Sequence, residues 1–512
     1  MKYSKNINLT DTKSFSTESI MVKINRRQFI VLGAAGVGAA FVGNQLWKKA
    51  NSSQPLLQSS VNLSPLHQSS DGLLELDLEA RERPVNLGGQ QVYLLTYNGQ
   101  IPAPRLEAKP GDKVRIHFTN NLSQPTNIHY HGLHIPPTGN ADNVFLRINP
   151  GEKLTYEFEI AQNQAAGTFW YHPHLHGFVA EQLFGGLAGL FIVRGELDEI
   201  PEIKAAKEEF LVLQDFALDE GGRLLSSMHM SLMMGREGDV IVVNGNINPS
   251  FSLPAKGLLR LRILNASTSR FYRLMIENHP FYQIATDGNA LNEPIEVREL
   301  LLTPGQRADV LVKGDKQPGQ YRLLNLPYDR GSMSMMGGGG MMGGRGMMGR
   351  NRDRNIPIVL ATLNYDSPLE TLSLPTKLAS ISSLPEPVAV RRFELNHGMS
   401  PAVGMAFLIN GEPYSGDRLH TQVQLDTVED WEITNTGVMD HPFHIHVNSF
   451  QVISRNGQPE SLPAWRDTVL VKRGETVRIR IRFRDFAGKT VYHCHILDHE
   501  DLGMMGNLVI EA

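Results

Sequence analysis

Three stretches of the chain repeat one pattern of apolar and polar positions. Tyr97-Asn98-Gly99-Gln100-Ile101-Pro102 precedes Val114-Arg115-Ile116-His117-Phe118-Thr119-Asn120, and Val243-Asn244-Gly245-Asn246-Ile247-Asn248-Pro249 precedes Leu259-Arg260-Leu261-Arg262-Ile263-Leu264-Asn265. Ile409-Asn410-Gly411-Glu412-Pro413 precedes Val428-Glu429-Asp430-Trp431-Glu432-Ile433-Thr434-Asn435. Each copy has a hairpin-type Asn-Gly pair, then a strand of alternating apolar and polar residues that ends in Asn. Long amphipathic helices at a period of 3.6 are scarce. The pattern predicts an all-β chain of three Greek-key β-sandwich domains, roughly 145 residues each.

The ends of the repeat set the domain expectations. Asn25-Arg26-Arg27-Gln28-Phe29-Ile30 opens an uncharged stretch to about Gly43, closed by Lys48 and Lys49. At about 15 residues it is shorter than the roughly 20 of a spanning helix and fits the apolar part of an export signal. The paired arginines resemble the twin-arginine signal, whose pathway carries folded proteins. Residues 1–44 are therefore read as an export region, with Met1 and Met21 both candidate starts, and no stable membrane span is expected beyond it. Residues 45–72, rich in Ser and Gln, read as a linker. The domains are expected at 73–197, 198–385 and 386–512, the second carrying a Met-rich insertion at 333–349.

Composition narrows the function classes. The chain is 41% hydrophobic and 20% charged, which excludes collagen-like, wholly disordered and multi-span membrane proteins. A net charge of -4 implies no broad electropositive face, so nucleic acid is not an expected partner. Cys494 is the only cysteine, so no intramolecular disulfide is possible.

Histidine breaks the symmetry of the repeats. Ten of 18 fall in four clusters: His129-Tyr130-His131, His172-Pro173-His174, His441-Pro442-Phe443-His444-Ile445-His446, and His493-Cys494-His495 with His499. The first two lie in the first repeat and the last two in the third, which suggests a metal site shared between those domains. Residues i and i+2 of a strand face the same way, so each His-x-His delivers two imidazoles to one side. Four such pairs supply eight nitrogen ligands, too many for one ion. In His493-Cys494-His495 the same alternation turns the thiolate to the opposite face, where His441, His499 and Met504 complete the ligand set of a blue electron-transfer copper. His67, His117, His397 and His420 read as surface or satisfied residues, and His134 and His176 fall outside the cluster spacing.

These four segments, with Trp170-Tyr171 before the second and Ile496-Leu497-Asp498-His499-Glu500 closing the fourth, resemble the copper-binding segments of the three-domain multicopper oxidases, the group of laccases and bacterial cuprous oxidases. The resemblance implies three cupredoxin-like domains and four copper ions. By position, His441, Cys494, His499 and Met504 match the type 1 copper, and His129 and His444 the type 2 copper. His131, His172, His174, His446, His493 and His495 match the two type 3 coppers. It further implies one-electron oxidation of a substrate, passage of electrons through Cys494, and four-electron reduction of dioxygen to water. Glu500 matches the family's proton-supplying acid, and Asp142 is a second candidate in a segment longer than usual.

Methionine bears on the substrate. Met228, Met230, Met233 and Met234 form one group, and Met333, Met335, Met336, Met341, Met342, Met347 and Met348 another, diluted with glycine. Thioethers on a glycine-rich loop suit capture of Cu(I), a soft ion, and the insertion resembles those of copper-efflux oxidases. Met439 matches that subgroup, while the aspartate expected two places earlier is Gly437, with Asp440 as a shifted substitute. An exported, monomeric oxidase of Cu(I) is the expectation. The alternatives are a laccase-like oxidase of phenols or aromatic amines, a small aromatic reductant replacing Cu(I), and a non-enzymatic copper-binding scaffold.

Overall fold

The computed structural model describes residues 65–225, 229–331, 356–367, 373–400 and 404–512. The export region, most of the linker, Met228 and the Met-rich insertion, with Met333, Met335, Met336, Met341, Met342, Met347 and Met348, lie outside them.

Six sheets pair into three sandwiches. The first joins a four-stranded sheet built on Leu73–Leu87 to a five-stranded sheet containing His129–His131 and Gly167–His172. The second joins six- and five-stranded sheets, and the third joins a seven-stranded sheet to a five-stranded one containing His441–Ile445 and Gly488–Cys494. Helices among the described residues are four to six residues long.

The repeated motif accounts for much of this. Asn98-Gly99, Asn244-Gly245 and Asn410-Gly411 all take positive φ at both residues, as the tight hairpin turn requires. The strands Lys113–Asn120, Leu258–Asn265 and Val428–Asn435 run parallel to Leu73–Leu87, Lys207–Phe216 and Ala389–Ser400, whose antiparallel partners lead into the turns. Their terminal asparagines are buried and do one job three times. Asn120, Asn265 and Asn435 each accept from the backbone N–H two residues on and donate from Nδ2 to two backbone carbonyls. Each satisfies backbone groups that the departing chain would otherwise leave buried and unpaired.

Two features depart from the periodic pattern. In Leu258–Asn265 the polar side of the alternation is buried, with Arg260 and Arg262 inside the protein. Asp198, Glu208 and Asp309 surround the two guanidiniums, an arrangement a buried cation requires. The stretch read as linker also contributes a strand, Leu66–Gln68, which runs parallel to Arg105–Ala108. Its side chains are mostly exposed, so it is held by main-chain bonds that leave no apolar signature.

Candidate metal centres

The thiolate site forms where neighbouring strands bring distant residues into register. Gly488–Cys494 pairs with His441–Ile445, setting Phe443 opposite Cys494 and His444 opposite His493. The short helix Leu497–Asp501 then returns His499 toward the strand end. Cys494 Sγ lies 3.4 Å from His441 Nδ1 and 3.9 Å from His499 Nδ1, and the two nitrogens are 3.3 Å apart. All three residues are buried. Met504 packs in the same apolar cluster, and its carbonyl accepts from the Cys494 N–H at 3.0 Å. The Phe407 ring stacks on His499 at 3.7 Å.

The second site lies between the first and third sandwiches. His129 stacks on His446 and His131 on His444, both at 3.8 Å between ring centres. One group brings together His174, His446 and His493, with His493 Nε2 standing 3.0 Å from His174 Nε2 and 3.1 Å from His446 Nε2. In a second, the rings of His131, His172 and His495 lie 5.0–5.8 Å apart. His129 and His444 face each other at 5.8 Å.

Hydrogen bonds at the outer ring nitrogens set which nitrogen points inward. His129 Nδ1 bonds Asp142, and the Nδ1 atoms of His172, His444 and His493 bond the carbonyls of Pro173, Asp467 and Cys494. His131 instead uses Nε2, to Asp467 Oδ1 at 3.0 Å. Left buried without a partner are His129 Nε2, His131 Nδ1, His172 Nε2, His444 Nε2, His446 Nδ1 and both nitrogens of His495. Burying such groups unpaired is costly, and convergent lone pairs are what a metal ion satisfies.

The electrostatics agree with that fit. Burial, with repulsion from neighbouring imidazoles second, holds His129, His131, His174, His446 and His495 well below the usual histidine range. Burial foremost brings His172 and His441 down to about 3. All are neutral at ordinary pH, the form that ligates metal. Burial also pushes the Cys494 thiol up, so its thiolate needs an adjacent cation. Imidazole and sulfur donors of this kind fit copper.

The carboxylates divide by role. Asp142 is buried and accepts from His129 Nδ1 and from the Tyr130 N–H, and burial holds its pKa well above the usual carboxylate range. Glu500 is buried with Oε2 3.1 Å from His493 Nδ1 and Oε1 3.7 Å from His174 Nδ1, yet neither oxygen makes a hydrogen bond. Asp467 escaped the sequence reading. It touches His131 and is held at both oxygens by buried Arg307 of the middle sandwich. The only local signal was a charge opening the apolar run Thr468–Val471.

Other expected residues take different places. Met439 is buried, and both oxygens of Asp440 are engaged, one by the Tyr328 hydroxyl and one by the Arg473 N–H. Gly331, the last described residue before the insertion, pairs with Met439, and the Arg330 carbonyl accepts from the Asp440 N–H. A Cβ at Gly331 would stand 2.2 Å from the Val438 carbonyl oxygen, so only glycine permits this approach. Met233 packs in the apolar cluster of Cys494 and Met504.

Sequence-family models described as multicopper oxidase match residues 79–198, 212–336 and 385–512. The chain is 30% identical over 425 residues to multicopper oxidase mco of Staphylococcus haemolyticus, covering 81% of this chain and 83% of the relative. It is 30% identical over 504 residues to the cell division protein FtsP of Xenorhabdus nematophila, covering 96% and 99%. Among solved structures, the multicopper oxidase of Campylobacter jejuni, described as a metallo-oxidase, is similar with a TM-score of 0.76 and 34% identity, covering 88% and 94%.

Proposed function

The chain belongs to the multicopper oxidase family, and we propose that it is an exported oxidase of Cu(I). The observation that carries the oxidase reading is that one strand serves both centres. His493 and His495 face the imidazole cluster, and Cys494 between them faces His441 and His499. In this reading His441, Cys494, His499 and Met504 hold a type 1 copper, and His129 and His444 a type 2 copper. His174, His446 and His493 hold one type 3 copper, and His131, His172 and His495 the other. Copper bound there supplies one-electron oxidation of the reductant and four-electron reduction of dioxygen to water.

The protein's own groups do the rest. The main chain of residues 493–495 is the covalent link between the two centres. Burial of all the histidine ligands excludes bulk water. Asp142 and Asp467 orient His129 and His131 through their outer nitrogens. Glu500, buried beside His493 and His174, is the group placed to hold a proton and give it to the dioxygen site. Asp142, which accepts from His129 and Tyr130 and whose buried carboxyl is pushed up, is the second candidate to hold a proton.

Cu(I) is favoured as reductant by where the methionines are rooted. The insertion leaves the described chain at Gly331, which is paired to Met439 two residues before His441. A phenol would need an open concave face at the thiolate site, whereas His441 and His499 are buried and Phe407 covers His499. A cleft of about 700 Å³ lined by Gln68, Lys109, Arg194 and Asp198 shares no residue with either centre. Export rests on the twin-arginine-like segment at 26–27. A second, non-enzymatic reading draws on the FtsP relative, which matches nearly the whole chain. The test is oxygen uptake with Cu(I) and with a phenol, for parent and a deletion of residues 333–349. Loss on Cu(I) alone supports the reading, and loss on the phenol alone favours a laccase-like enzyme. No uptake on either, with no blue absorbance, favours the scaffold.

A further inference from the structure

Two methionines outside the Met-rich stretches face each other near the thiolate site. The antiparallel pair Ala389–Ser400 and Gly404–Ile409 sets Leu395 opposite Ile409, His397 opposite Phe407 and Met399 opposite Met405. Residues two apart on a strand, and those directly opposite on its neighbour, share a face. The six therefore form one double row. Its inner end is core, with Leu395 and Phe407 fully buried. Its outer end is open: Met399 is 75% exposed, while His397 and Met405 are half-buried. The row contains no carboxylate, so a hard cation finds no anionic oxygen in it.

The row runs up to the ligands of the proposed type 1 copper. Phe407, opposite His397, stacks on His499 and stands 6.1 Å from His441. His397 Nδ1 and His441 Nε2 each lie 3.6 Å from the point where a Cβ on Gly437 would stand. Glycine at 437 thus leaves a gap between the two imidazoles that any side chain would occupy. His397, which the sequence marks only as an isolated histidine, is one wall of that gap.

We propose that Met399, Met405 and His397 form a binding site for a soft monovalent cation, Cu(I), that holds the ion beside the outer edge of His441. Two thioethers and one imidazole are a donor set that selects Cu(I) over oxygen-seeking ions. Directly opposed strand positions place the two sulfur-bearing side chains about 4.5–5.5 Å apart at Cβ, within reach of one ion. The substrate role of the site rests on the Cu(I) oxidase reading above, but its capacity to bind the cation does not.

The probe is Ag(I), a redox-silent counterpart of Cu(I), in equilibrium dialysis against the copper-loaded full chain. Silver content is compared for the parent and Met399→Leu/Met405→Leu. The variant is expected to bind one equivalent fewer, and His397→Phe to weaken that equivalent at least about tenfold, as loss of a metal-site residue does. Retained blue absorbance verifies that the hairpin beside His441 is intact, and exposed Met399→Leu alone serves where the double variant folds poorly. The same variants are expected to raise the KM for Cu(I). Unchanged silver content would overturn the site, and lost silver with an unchanged KM would overturn its substrate role. A hairpin that binds Ag(I) in a protein unable to oxidise Cu(I) would sink the oxidase reading and leave the site standing.

Discussion

Arg307 joins the three sandwiches, and its removal tests that junction. It is fully buried, donates to both oxygens of Asp467 at 2.9 and 2.6 Å, and also bonds the carbonyls of Thr168 and Gly305. It lies 3.6 Å from Asp287 as well. Arg307→Met keeps the apolar stem and deletes the guanidinium, leaving buried Asp467 without its paired cation and buried Asp287 with only the charge of Arg466 beside it. Breaking such a pair costs about 3–5 kcal/mol, roughly a few hundred- to a few thousand-fold in the folding equilibrium.

The loss has a definite pH dependence. Burial first, then the charge of Asp467, pushes the Asp287 carboxyl up to about 7. An acid raised on folding contributes stability below its ordinary pKa of about 3.9, and that stability is lost as pH rises through the raised value. The Arg307 charge pulls the value down, so without it the loss deepens at high pH. The part of the deficit that comes from Asp287 should therefore be absent near pH 5 and add to the lost Asp467 bonds as pH rises to about 8. The assay is urea unfolding of metal-free parent and variant at both pH values, followed by fluorescence of buried Trp170 and Trp431. The Arg307 charge also lowers the pKa of His131, His172 and His444, so any relief of these histidines in the variant shrinks the deficit at low pH and acts in the same direction. Arg307→Met/Asp467→Asn should recover part of the loss at pH 8. A variant within about 0.5 kcal/mol of the parent at pH 8, or a deficit larger at pH 5, would refute the account.

Further outcomes follow from the two centres. Cys494→Ser should abolish the blue absorbance and oxygen uptake while leaving far-UV circular dichroism unchanged, since no disulfide depends on the only cysteine; uptake at the parental rate would rule out the assigned route. Met504→Leu should keep the colour and shift the reduction potential measured by redox titration, because an axial thioether tunes the ion more than it holds it. Glu500→Gln should slow oxygen uptake by about 10²–10⁴-fold with copper content unchanged by metal analysis. Stripping copper with a chelator should lower the unfolding temperature, with restoration on adding copper back, because metal binds the folded chain preferentially.

Residue order is enough to show the class of fold and the chemistry of the centres, because both have short-range signatures. Period-two alternation and three Asn-Gly turns mark the strands, and the structure repeats the same turn and the same buried asparagine in each sandwich. His-x-His places two donors on one side of a strand wherever the strand lies, and Cys494 between two histidines separates thiolate from imidazoles in the same way. Three-dimensional packing alone decides which imidazoles meet: His129 stacks on His446 and His131 on His444 across more than 300 residues of chain. It also decides that Arg260 and Arg262 lie inside, since their partners Asp198, Glu208 and Asp309 reach them only in the fold. Asp467 becomes a support for His131, and Asp440 an anchor for Tyr328 and Arg473, for the same reason. Alternation along a strand is local and survives in the sequence, whereas contact between sandwiches depends on how whole sheets dock, and no spacing along the chain encodes it.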